Sequence, residues 1–162
     1  MGDRRSRMST RKRKTDSKDS RSEFGQKVLN VRRVARVVAG GRRFNFSVVV
    51  ILGDKKGSVG VGIGKGADTA AAIDKATRDA RKQMFKIKTT DSMSIPHEVF
   101  AKYASSEVLI IPVAGKGLVA GSAVRNVLDL AGVTDVTAKI LTRSKNKLNI
   151  ARATVTALKQ LT

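Results

Sequence analysis

The chain has no cysteine and no tryptophan, one histidine, one tyrosine and only two prolines. Without thiols it can form no disulfide, thiolate zinc site or cysteine nucleophile. A single histidine leaves a metal site or a histidine-centred catalytic group short of the partners it needs. No run of about 18 apolar residues is present to cross a bilayer as a helix, and the basic N-terminus lacks the apolar stretch of a secretion signal. Negative charge is scarce too: 13 Asp and Glu face 33 Lys and Arg, a formal charge of +20. That exceeds the roughly 2 to 8 units that solubility asks of a small domain, so composition points to a polyanionic partner. Nucleic acid fits best, because neutralising many phosphates releases condensed counterions and requires no pocket; a membrane surface fits less well. The expectation is a cytoplasmic protein with no cofactor, no metal and no small-molecule substrate.

What is present falls into three segments. Residues 1–22 hold nine basic and three acidic side chains and, apart from Met1 and Met8, nothing large and apolar, which reads as a disordered basic arm. Residues 23–90 read as one domain. KVLNVRRVARVV, FNFSVVVIL and SVGVGIG are β-branched runs separated by the turn signals AGGR and GDKKG, a three-stranded antiparallel meander. ADTAAAIDKATRDARKQM then reads as an amphipathic helix with Thr69, Ile73, Ala76 and Ala80 on its inward stripe. KTTDSMSIP is polar, ends in proline and is placed as the boundary. Residues 91–162 read as a second domain. HEVFAKYA and EVLIIPVA are strands, AGSAVRNVLDLAG is a helix with Val124, Val127, Leu128 and Ala131 inward, and VTDVTAKIL is a strand. KLNIARATVTALKQL closes the chain as a helix with Leu148, Ala151, Val155 and Leu158 on one stripe. The fold class is α+β, with helices on one face of the second sheet.

Three stretches bear on function. The first hairpin gathers Arg32, Arg33, Arg36, Arg42 and Arg43 about Gly40 and Gly41, and arginine offers phosphate a planar fork. Lys55 and Lys56 in the next turn, and Lys65 where a strand gives way to a helix, are assigned to RNA binding with them; Phe44 and Phe46 are assigned to the core. In GSVGVGIGKGAD, glycines at every second position from Gly60 to Gly66 meet the relaxed dinucleotide fingerprint at Gly62, Gly64 and Ala67. The surroundings fail it, since the strands read as antiparallel and no ribose-holding acid follows about 20 positions on. Alternate residues share one face of a strand, so these glycines instead make a bare face against which another backbone, protein or RNA, can lie. The third stretch, GKGLVAGSA from Gly115 to Ala123, runs toward a helix start, where anions bind well. It carries the alternative reading, a nucleotide-binding or kinase-like enzyme, against which stands the lack of a metal-holding carboxylate set.

GRRFNFSVVVILGDKKGSVGVGIGKGADTAAAIDKA, IPHEV, GKGLVAGSAVRNVLDLAGVTDVTAK and NIARATVTALKQL occur in this order. Together they resemble the family of bacterial small-subunit ribosomal protein five over nearly all of residues 26–162. The resemblance implies an N-terminal βββα module similar to a double-stranded-RNA-binding domain, and a C-terminal α/β two-layer domain whose βαβ crossover is left-handed, against the usual hand. It also implies binding to small-subunit ribosomal RNA, a role in assembly, and no catalytic residues. The implied setting is the channel by which mRNA enters, beside proteins three and four, with a contact to protein eight. The family's first-hairpin loop maps onto Val34, Ala35, Arg36, Gly40, Gly41 and Arg42. Its contact with protein four, which bears on decoding accuracy, maps onto Gly115, Gly117 and Arg125. Ala35 stands where many members have serine, and Lys116 where a small polar residue is usual. A bacterial cytoplasmic ribosome and an organellar one both fit.

Overall fold

A computed structural model of the chain describes residues 24–90 and 92–161; the arm assigned to residues 1–22 lies outside them. The three β-branched runs form β1 (Gly25–Val38), β2 (Gly41–Gly53) and β3 (Ser58–Gly66), paired antiparallel as the alternation predicts. A two-residue strand, β4 (Phe85–Lys86), pairs with the start of β3 and completes the order β1-β2-β3-β4. Val38 pairs with Gly41, so Ala39 and Gly40 alone reverse the chain, and Gly41 takes a φ of +130° that a side chain would resist.

Helix α1 (Thr69–Lys82) is capped by the Asp68 carboxylate, which accepts from the Thr69 N–H at 2.7 Å. Its buried stripe is Ala72, Ala76 and Ala80. The stripe expected from periodicity is thus displaced: Thr69 and Ile73 are only half-buried, with Ile73 beside Val48 and Val50. The bare face of β3 explains the shift. A Cβ at Gly60, Gly62 or Gly64 would run into the α1 backbone at Ala72, Ala76 and Ala80. Only the smallest side chains can face a strand that close. Four residues of helix rise about 6 Å and two residues of strand about 6.6 Å, so alanines every fourth residue keep step with glycines every second. The glycine face therefore meets protein. Asp79 fastens the seam, its Oδ2 accepting from the Ile63 N–H at 2.9 Å.

The opposite face of this sheet carries Val49, Ile51, Val59 and Val61 into an apolar cluster shared with the second half of the chain. That half contains β5 (Val99–Tyr103), β6 (Ser106–Pro112), β7 (Leu118–Val119), α2 (Ser122–Ala131), β8 (Val136–Ile140) and α3 (Lys147–Lys159). Its sheet runs β5-β6-β8-β7, with β7 parallel to β8 and joined to it through α2. Val124, Val127, Leu128 and Ala131 of α2 are buried as the pattern predicts. On α3 the expected stripe holds for Ala151 and Leu158, whereas Leu148 and Val155 are half-buried and Ile150, Ala153, Thr154 and Ala157 are buried instead. The reason is that α3 is covered from more than one side, by its own sheet and α2 and also by β1 and β3.

The two halves are also joined by backbone. Lys55 N–H donates to Leu130 O at 3.0 Å and Gly57 N–H to Ala131 O at 2.9 Å, satisfying carbonyls that the end of α2 leaves unpaired. Gly132 closes α2 with a φ of +77°. A Cβ there would meet Lys55 O, and a Cβ at Gly53 would meet Leu130 O. The polar stretch read as a boundary connects the two sheets, with Ile87 just before it and Ile95 within it both buried.

Candidate nucleic-acid interface

Strands β1 and β2 continue past their own sheet. β3 ends at Gly66 opposite Phe46, while the β1–β2 pairing runs on to Val38 and Gly41. The continuation is a two-stranded ribbon, and the first-hairpin arginines lie on and at the base of it. Arg32, Arg33, Arg36, Arg42 and Arg43 are all exposed, and among the described residues none of them meets a carboxylate.

Cross-strand partners share a face, so register sorts these side chains into two sets. On one face Arg36 lies opposite Arg43, and Arg32 lies opposite Ser47, whose other neighbour is Lys65. Arg32, Arg36, Arg43 and Lys65 thus form one cationic surface. On the other face Arg42 lies opposite Val37, Phe44 opposite Ala35, and Phe46 opposite Arg33. Phe46 is half-buried against the Val48 cluster, in keeping with a core role. Phe44 corrects the expectation: it is 46% exposed, with the Arg33 guanidinium 4.1 Å from its ring centroid. No third strand flanks residues 41–45, so Phe44 has no core to enter. Sequence reasoning missed it as a surface residue, and the signal it offered was its place only three residues from the Gly41 reversal.

Lys55 and Lys56 are exposed but sit on the turn at the far end of β2, about 33 Å from Arg43 by strand rise. They cannot belong to the ribbon's surface. Their turn is held by Asp54, whose Oδ1 accepts from the Lys56 N–H at 2.7 Å and the Ser58 N–H at 2.9 Å. Burial pushes the Asp54 carboxyl up, but these hydrogen bonds together outweigh it and hold the group below the usual carboxylate value. Lys55 itself takes a left-handed φ of +57°, in the turn whose backbone N–H groups reach α2.

Gly115, exposed, and Gly117, half-buried, form a turn with φ values of +76° and +64°. The Gly117 N–H donates to Asp135 Oδ1 at 2.9 Å, so a carboxylate occupies the donor that a phosphate would need. Strand β7 then separates this turn from the start of α2, and the stretch does not make a continuous phosphate loop. Arg125 is exposed in the first turn of α2.

The family profile "Ribosomal protein S5, N-terminal domain" matches residues 24–88, and "Ribosomal protein S5, C-terminal domain" matches residues 101–162. The chain is 46% identical over 151 residues to the small ribosomal subunit protein uS5 of Mycoplasmopsis agalactiae, covering 93% of this chain and 65% of that relative. With uS5 of Mycoplasma mobile the identity is 42% over 149 residues, covering 91% and 61%. With uS5 of Acaryochloris marina it is 42% over 152 residues, covering 93% and 85%. The chain thus spans less than two thirds of the length of the first two relatives.

Proposed function

The chain belongs to the ribosomal protein S5 family, and from that membership we propose that it is a structural, RNA-binding constituent of the small ribosomal subunit rather than an enzyme. The observation that carries the reading is the ribbon, which holds five exposed arginines, unpaired with any carboxylate among the described residues, two at its base and three beyond the end of β3. Each cation set against a phosphate releases counterions, which gives affinity without a pocket. The Arg32, Arg36, Arg43 and Lys65 surface is the primary contact with ribosomal RNA, and Lys55 and Lys56 meet a separate stretch of backbone. The Gly115 to Gly117 turn and Arg125 face a neighbouring protein, for which protein four is the candidate, with proteins three and eight also adjacent. In that setting the chain supports assembly and shapes the path of mRNA, influencing accuracy.

Fractionation of a cell lysate on a sucrose gradient tests the reading: the chain sediments with small subunits, and its absence from them would overturn the assignment. The kinase-like alternative is tested by thermal denaturation with Mg-ATP, since a ligand of the native state must raise the midpoint. No shift is expected.

A further inference from the structure

The ribbon's two faces differ in chemistry, and we propose that they divide the work: one holds phosphates of paired RNA, while Arg33, Phe44 and Val37 on the other form a stacking site for an unpaired nucleobase. The inference rests on the RNA-binding reading above and adds a ligand class to it.

The phosphate face contains Arg32, Arg36, Arg43 and Lys65 and no aromatic ring. It offers charge and hydrogen-bond donors but no aromatic ring on which a guanidinium is already stacked, which suits it to gripping a backbone. The other face is built differently. The Arg33 guanidinium lies over the Phe44 ring at 4.1 Å, and the exposure of both residues leaves the stack open to solvent. A planar cation on a ring is a stack already begun, and a nucleobase laid against it continues the series. Arg42, opposite Val37 on the same face, supplies charge for that nucleotide's phosphate. Val37 is 77% exposed, an apolar side chain that water does not favour and that a base or sugar edge would cover.

Three other cation–ring contacts among the described residues differ. Lys159 over Phe85, Arg152 over Tyr103 and Arg81 over Phe24 lie at 5.3, 5.6 and 5.7 Å, on rings that are half-buried. Among the described residues, a close stack on an exposed ring occurs only on the ribbon. Proteins that read unpaired RNA do so by stacking splayed bases on aromatic rings and guanidinium planes, which a duplex withholds.

The test uses the full chain and two RNAs, a blunt duplex and the same duplex interrupted by one bulged 2-aminopurine. The wild-type protein binds the bulged RNA more tightly and quenches its fluorescence. Phe44→Leu and the charge-keeping Arg33→Lys each weaken binding to the bulged RNA by about tenfold and abolish the quenching, and Phe44→Leu leaves the duplex affinity and the salt slope unchanged. Arg36→Ala with Arg43→Ala flattens the salt slope on both RNAs. If Phe44→Leu weakens both RNAs equally, or the quenching survives it, the stacking site is wrong while RNA binding stands. If the wild-type chain binds neither RNA, the function proposed above fails with it.

Discussion

Strand β2 begins and ends in similar sequence, Gly40-Gly41-Arg42-Arg43 at one end and Gly53-Asp54-Lys55-Lys56-Gly57 at the other, yet the two ends serve opposite purposes. At the first, a Cβ added to either glycine would meet nothing within 4 Å. At the second, Gly53 lies against Leu130, and Gly132 from the other half of the chain lies against Lys55. The first end is a free probe and the second an anchor. Glycines beside basic residues suggest a phosphate site in both places, but a glycine can be needed for its conformation or for the room it leaves. Only the neighbours across the fold decide which.

Substitution at the anchor should have the largest effect. Gly53→Ala and Gly132→Ala each force a Cβ into backbone, and Gly132→Ala adds a left-handed conformation; a loss of about 3 kcal/mol in urea denaturation is expected. Gly40→Ala, at the probe, should change stability by less than about 1 kcal/mol. Equal losses at the two ends would break the comparison.

Next in size is RNA binding. Arg42→Ala with Arg43→Ala should reduce the slope of log affinity against log salt by about one to two units and leave the unfolding midpoint unchanged. Lys55→Ala with Lys56→Ala should lower the slope independently, so that the quadruple variant shows the sum of the two changes. A shortfall from additivity would mean that the ends share one contact, against their separation of about 33 Å.

The smallest effect concerns pH. Because the folded Asp54 carboxyl is held below its ordinary value of 3.8, its contribution to stability is fully present above that value and is lost as pH falls through the lower folded one. Asp54→Asn should therefore show a shallower loss of stability between pH 5 and pH 2, followed by circular dichroism. An acid response as steep as that of the wild type would remove Asp54 from the anchor.

Much of this architecture was legible in the chain. The β-branched runs and the Val124, Val127, Leu128 and Ala131 stripe each follow from local rules, and both appear as those rules predict. What escaped were consequences of contacts distant in sequence. Periodicity favours Ile73 as the larger apolar group, but the glycine ladder brings the strand too close for it and selects Ala72. Leu148 and Val155 fit one stripe of α3, yet a helix covered from more than one side buries several. Phe44 resembles Phe46 two residues on, and only the end of β3 at Gly66 separates their fates. The ribbon arginines stand out in the sequence by their clustering about the Gly40-Gly41 turn, while their sorting into two faces needs the register.

The continuity of β2 has a mechanical consequence. The strand is wedged beneath α2 at Gly53 and carries Arg42 near its other end, so the two ends are in series along one hydrogen-bonded strand. A tug at the tip reaches the second module as torque on a helix end rather than as slack in a linker. On the function proposed above, the strand would act as a gauge as well as a clamp, since seating the tip on RNA would set how far away α2 and the turn of Gly115 to Gly117 are held.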